Sequence, residues 1–249
     1  MGEATLYGLG ASSALVIGAL IGTLWRPRPG VVAAALAFAS GALAAAVSVE
    51  LFSDAYEKTG ALWASAALLA GAVVFIAIDT WLDKRIARTG QTGFALAAAV
   101  TLDGVPENLA LGVSLAEQGS LVLLVAIFAS NLPESLAGAR SMRENDHSPR
   151  FVLAVWGATA ALLAAAVLLG RGVLAGSPPE ALAVPLAFAG GAVLASLADT
   201  LMPDAYRRGG PWVAVATALG FLLSFALSEI EKQPSPPPTP PALPQTPPP

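Results

Sequence analysis

A helix needs about 20 mostly apolar residues to cross a hydrocarbon core about 30 Å thick, and this sequence offers eight such runs in succession. They lie near 5–25, 31–52, 61–81, 92–115, 120–140, 150–170, 180–202 and 211–228. Polar or helix-breaking segments separate them: RPRPG at Arg26 to Gly30, charged Asp83 to Arg88, polar Arg140 to Arg150, SPPE at Ser177 to Glu180 and RRGGP at Arg207 to Pro211. No intervening segment is large enough for a soluble domain. The fold class expected is therefore an all-α polytopic membrane protein with eight transmembrane helices.

Composition narrows the chemistry. Charged residues make up 12% of the chain, half the roughly 25% of a soluble domain, which excludes an ordinary water-soluble enzyme. There is no cysteine, so disulfides, thiolate metal sites and cysteine nucleophiles are excluded. One histidine, His147, excludes mechanisms that need two. A net charge of −4 with 13 basic residues leaves no basic stripe for nucleic acid. Ten of the 20 prolines fall between Pro234 and Pro249. Residues 1–231 are thus expected to form the membrane domain and 232–249 an extended or disordered proline-rich tail.

Basic residues are retained on the cytoplasmic side. The loops after spans 1, 3, 5 and 7 hold ten of the 13: Arg26, Arg28, Lys84, Arg85, Arg88, Arg140, Arg143, Arg150, Arg207 and Arg208. The other side has Lys58, Arg171 and Lys232. Both termini are expected outside the cytoplasm, in a multi-pass protein of the plasma membrane. Met1 to Leu24 lacks a basic segment before its apolar run, so the first span reads as a retained helix rather than a cleaved signal.

Shifted by 150 positions, LAFASGA (Leu36 to Ala42) matches LAFAGGA (Leu186 to Ala192), and FSDAYEKTG (Phe52 to Gly60) matches MPDAYRRGG (Met202 to Gly210). An Ala/Leu bias does not supply the matched Phe, Asp and Tyr. Spans 1–3 thus repeat as spans 6–8, offset by five crossings. An odd offset inverts the second copy and leaves a 3+2+3 arrangement around spans 4 and 5. Inverted repeats with a midplane site recur in secondary transporters.

The central pair carries the chemistry. Span 4 holds LDGVPENLALG (Leu102 to Gly112) and span 5 holds SNLPESLAGA (Ser130 to Ala139). Asp103 and Glu107 are four apart, as are Ser130 and Glu134, so each pair shares a helical face. Pro106 and Pro133 each remove a backbone donor and free a carbonyl a turn earlier, tolerated where a helix is buried or lines a cavity. Two kinked helices facing each other would make a cation site of oxygen atoms. An ionised carboxylate at midplane costs at least about 2.5–3.5 kcal/mol on insertion scales, which a divalent ion or bound protons would offset. Alternatively these acids are neutral and hydrogen-bond between helices.

The central pair resembles the metal-binding helices of the ZIP (Zrt/Irt-like) divalent-metal transporters, which carry H-N-x-P-E-G and H-[END]-x-P-E-G-type motifs. GALIG at Gly18 to Gly22 and LAFAGGAVLASLADTLMPDAY at Leu186 to Tyr206 are similar to that family's first and seventh helices. The resemblance covers about residues 5–228. It implies that Glu107 and Glu134 are shared metal ligands and that Asp103, Ser130 and Asn131 stand at further ligand positions, with Asp103 and Ser130 replacing histidines. Asn108 and Ser135 replace the glycines after each glutamate. Span 6 has no acid for a second metal, and the loop between spans 3 and 4 is short and lacks histidine. Carboxylates, a hydroxyl and amides suit Mn²⁺, Fe²⁺ or Mg²⁺ better than a typical zinc site by ligand type, although zinc binds carboxylates too.

The resemblance implies divalent-cation transport towards the cytoplasm by alternating access, with the metal as cargo and no cofactor. Two other readings stay open: a proton-coupled carrier holding no metal, and a non-transporting sensor or pseudo-transporter. An intramembrane enzyme is disfavoured, because the histidine is in a loop and the central pair offers one aspartate. Expected partners are the lipid bilayer and divalent metal ions, with a second copy of the chain as a candidate and nucleic acid excluded.

Glu50 and Asp199 are candidate acids of an entrance and an exit, or else interfacial residues; Asp54, Asp79 and Asp204 read as interfacial. His147 reads as solvated loop. Trp25, Trp63, Trp81, Trp156 and Trp212 lie mostly near span ends, as an aromatic belt would.

Overall fold

The computed structural model describes residues 2–86, 92–116, 119–173 and 176–232. Of the proline-rich tail expected over 232–249, all but residue 232 lies outside them, as does Arg88. Every element among the described residues is helical, the outcome expected where no water is present to satisfy backbone groups. The elements are α1 (Gly2–Leu24), α2 (Pro29–Ala46), α3 (Ser53–Ile86), α4 (Thr92–Ser114), α5 (Leu121–Glu144), α6 (Pro149–Val173), α7 (Pro179–Ser196), α8 (Met202–Gly209) and α9 (Val213–Glu231). Two π-helical segments, Val47–Phe52 and Leu197–Leu201, extend α2 and α7.

Among the described residues, five continuous helical stretches are long and apolar enough to cross a membrane: Gly2–Leu24, Pro29–Leu82, Leu121–Glu144, Pro149–Val173 and Glu180–Glu231. Two of these, of 54 and 52 residues, are too long for one crossing. The helical path breaks at Gly60 (φ 77°, ψ 167°) in the first and at Gly210 (φ 67°, ψ −162°) in the second. Both conformations lie in the positive-φ region that glycine tolerates and L side chains rarely adopt.

The polarity of the fold is inverted relative to a soluble protein. Leu24, Leu62 and Trp212 are 78%, 78% and 82% exposed, whereas Asp103, Glu107 and Asn131 are 5%, 3% and 1% exposed. Such an apolar exterior needs a hydrocarbon solvent. The protein is accordingly an all-helical membrane protein.

The helices sort into two groups. In one, α1 packs on α5 and α6, and α4 packs on α5 and α6; in the other, α2 packs on α9 and α8, and α3 packs on α7. Between the groups, α2 meets α5 and α7 meets α4, so α4 and α5 lie along the seam. Within the second group backbones approach closely at glycines. A Cβ at Gly41 would strike the Thr217 carbonyl and one at Gly220 the Phe38 carbonyl; across the other contact, Gly191 faces the Leu68 carbonyl and Gly71 the Phe188 carbonyl. Dispersion over such close contacts is what holds helices together when lipid removes the hydrophobic drive.

Candidate functional site

Proline interrupts both seam helices, Pro106 in α4 and Pro133 in α5. A proline cannot bond the carbonyl four residues back, which leaves Leu102 and Ala129 without their usual amide donors. Around these points cluster the polar residues named from the sequence. Asp103 and Glu107 are buried on successive turns of α4, Ser130 and Asn131 are buried on α5, and Glu134 is half-buried one turn further along. The three carboxylates act on one another electrostatically across the α4–α5 contact.

Several polar atoms there have no hydrogen-bond partner. Asp103 Oδ1, Asn108 Oδ1 and Asn131 Nδ2 are buried without one, and each such group costs about 1–3 kcal/mol of desolvation. The Thr200 hydroxyl lies 3.2 Å from Asp103 Oδ2 and 2.8 Å from the Ser196 carbonyl, so its single proton is shared between the two. The Ser196 hydroxyl also acts on this carboxylate, while Oδ1 is left without a partner. Ser130 donates to the Ile127 carbonyl at 3.0 Å and Asn108 to the Gly104 carbonyl at 2.8 Å. The lone pairs of Ser130 Oγ remain available to a ligand.

Asp103 and Glu134 line a cleft of about 560 Å³ together with Asp79, Asp199, Asp204, Arg207 and Arg208. Asp79 and Asp199 act on Asp103 through their charge. The cleft thus brings acids from the second helix group to the acids of the seam. Glu107, Ser130 and Asn131 stand behind its lining. Among the described residues, no three His, Cys, Asp or Glu side chains converge closely enough to hold one metal ion. The acids share a field but do not form a closed coordination shell.

The outlying acids differ from one another. Glu50, in the first π-helical segment, accepts a 2.8 Å hydrogen bond from Ser228 of α9. Asp199, in the second, is exposed within the cleft. Asp54 pairs with Lys58 at 2.8 Å, and Asp204 pairs with Arg207 at 3.3 Å and Arg208 at 2.7 Å. His147 packs against Phe151 with ring centroids 5.0 Å apart and the rings tilted by 31°, in the turn between α5 and α6.

Sequence reasoning missed Thr200, Asn108 and Glu231. Thr200 sits 150 positions after Glu50, so the internal repeat could have marked it as the second copy of a polar position. Glu231 accepts from the backbone N–H of Leu121 at 3.0 Å and of Val122 at 3.4 Å. A carboxylate at the end of α9 thereby caps the start of α5, a contact with no local sequence signal.

Compared with known proteins, the chain matches no family model, and no curated protein matches it.

Proposed function

We propose that this protein is a ZIP-like carrier that moves divalent cations across the membrane towards the cytoplasm, through a site on α4 and α5. The observation that carries the reading is the burial of Asp103 and Glu107 on one proline-broken helix against Glu134 on another, at the head of an acid-lined cleft. Carboxylates kept inside a bundle with an apolar exterior are expensive and characteristic of an ion pathway. Glu107 and Glu134 are the shared ligands in this reading. Asp103 supplies a third charge and Ser130 and Asn131 neutral oxygens, while Asp199 stands on the exit and Glu50 on the entrance.

The architecture proposed is eight crossings in a 3+2+3 inverted repeat. Support comes from features separated by 150 residues: the π-helical segments starting at Val47 and Leu197, and the positive-φ breaks at Gly60 and Gly210. The reciprocal packing of α2 on α9 and α3 on α7 supports it too. Breaking the 54- and 52-residue stretches at these glycines and adding α4 gives eight. Arg207 and Arg208 line the cleft and belong to the side to which the sequence reading assigns ten of the 13 basic residues; by the preference of basic loops for the cytoplasm, the cleft opens inward. Alternating access would then follow from the group containing α4 and α5 shifting against the group containing α2, α3, α7 and α9.

A second reading, a proton-coupled carrier or a non-transporting homologue, is favoured by the ligand set itself, which contains no imidazole. The two separate in proteoliposomes. Uptake of Mn²⁺, Fe²⁺ or Zn²⁺ by the full chain, saturating with concentration, is the expected result. Proton flux that is independent of metal, or metal binding without uptake, would overturn the first reading.

A further inference from the structure

A second and larger hollow lies on the same seam but faces outward. It encloses about 830 Å³ between the helix groups, lined by Val74, Ile78 and Leu82 of α3, Ala98 and Val105 of α4 and Phe188 of α7, with α6 closing one end. Among the described residues, Thr101 is the only polar side chain lining it, and its hydroxyl is committed to the Ala97 carbonyl at 2.7 Å. Water entering here would find almost no partners, and apolar cavities stay dry. Val74 is 42% exposed and Leu169, at the end closed by α6, is 59% exposed, so the hollow opens onto the surface that meets the bilayer.

Its length suits a lipid tail. The α4 lining runs from Ala98 to Val113, which at about 1.5 Å per residue exceeds the roughly 15 Å depth of one leaflet's hydrocarbon. Its end has a charge to match a headgroup. Val74, Ile78 and Leu82 lie on one stripe of α3 with the i, i+4 spacing of a helical face, and Arg85 continues that stripe three residues further. The Arg85 guanidinium lies over the Trp81 ring, 4.9 Å from its centroid, beside the groove rather than in its lining, and no carboxylate among the described residues pairs with it. Tryptophan and arginine at a span end are the usual furniture of the headgroup region, and arginine forms forked hydrogen bonds with phosphate.

We infer that the groove between α3, α4 and α7 binds one bilayer phospholipid, its acyl chain between the two helix groups and its anionic headgroup on Arg85. The inference rests on membrane residence and not on metal transport, so it stands or falls separately from the proposed function. A lipid in this position would act as a wedge at the seam.

Native mass spectrometry of the full chain, released from micelles containing palmitoyl-oleoyl phosphatidylglycerol or palmitoyl-oleoyl phosphatidylcholine, tests it. Wild type is expected to retain one phosphatidylglycerol, about fivefold more strongly than phosphatidylcholine, the preference one basic residue confers at an anionic surface. Arg85→Gln should erase the headgroup preference. Ala98→Phe and Val74→Phe should lose both lipids, while Val125→Phe, on exposed α5 surface away from the groove, should retain them. Groove variants that keep their helical circular dichroism and still bind lipid as wild type does would overturn the proposal. If those variants fold poorly, Arg85→Gln decides alone, and an unchanged headgroup preference overturns it.

Discussion

Asp103 occupies the junction of everything polar in this protein: its own helix brings Glu107, α5 brings Glu134, and the second π-helical segment brings Thr200 and Asp199. Thr200 should act as a positioning residue for that carboxylate. Replacing it by Val keeps the shape and removes a hydrogen bond worth about 0.5–1.5 kcal/mol. Metal uptake by Thr200→Val is therefore expected to fall roughly two- to tenfold, with the melting temperature in detergent little changed; uptake equal to wild type would remove Thr200 from the site. Asp54 makes the opposite case. Its pair with Lys58 is an i, i+4 contact with both side chains partly exposed to solvent, a kind that contributes about 0.3–0.5 kcal/mol. Asp54→Ala should leave uptake and thermal stability within error of wild type. The sequence distinguishes these two poorly, since both are polar residues near span ends. What separates them is which neighbour packs alongside, and that is a tertiary fact.

At the scale of elements, the helices are legible because a long apolar run satisfies its own backbone only as a helix where water is absent. Each of the eight runs coincides with helix in the structure, displaced at its ends by a few residues. The proline motifs of α4 and α5 and the glycine punctuation at Gly60 and Gly210 are legible too, since proline and glycine act locally. The π-helical segments are not, because one inserted residue per turn leaves no mark in the hydropathy pattern. Close packing is also hidden: Gly157 and Gly191 look alike in sequence, yet only Gly191 has a carbonyl against it. Gly191→Ala is expected to destabilise the protein by about 1–3 kcal/mol through overpacking, whereas Gly157→Ala, with nothing within 4 Å of the added carbon, should be neutral or stabilising by up to about 1 kcal/mol. Denaturation in mixed micelles reads both. The Glu231 cap belongs to this scale as well. Ser120 and Glu231 together satisfy the amides of Leu121, Val122 and Leu123, so Glu231→Ala should cost about 1 kcal/mol by loss of a helix cap. Glu231→Gln should cost less, because it keeps an acceptor and loses only the interaction with the helix dipole.

At the scale of the molecule, two helix groups meet along α4 and α5, and the acid-lined cleft and the larger apolar groove both lie on that seam. One is lined with acids and the other with apolar side chains, so a single boundary carries both kinds of surface. Phe38 and Phe188, 150 positions apart in the sequence repeat, each place a carbonyl against a glycine, Gly220 and Gly71 respectively. What could not be read was how far the acids of the second group reach the seam, because that depends on how α3 and α7 lie across α4. The central claim is that Glu107 and Glu134 carry the ion. Uptake of divalent metals into proteoliposomes containing wild type, Glu107→Ala or Glu134→Ala measures it most directly: uptake by wild type and its loss in both variants is the result expected, and uptake that survives both substitutions would contradict it.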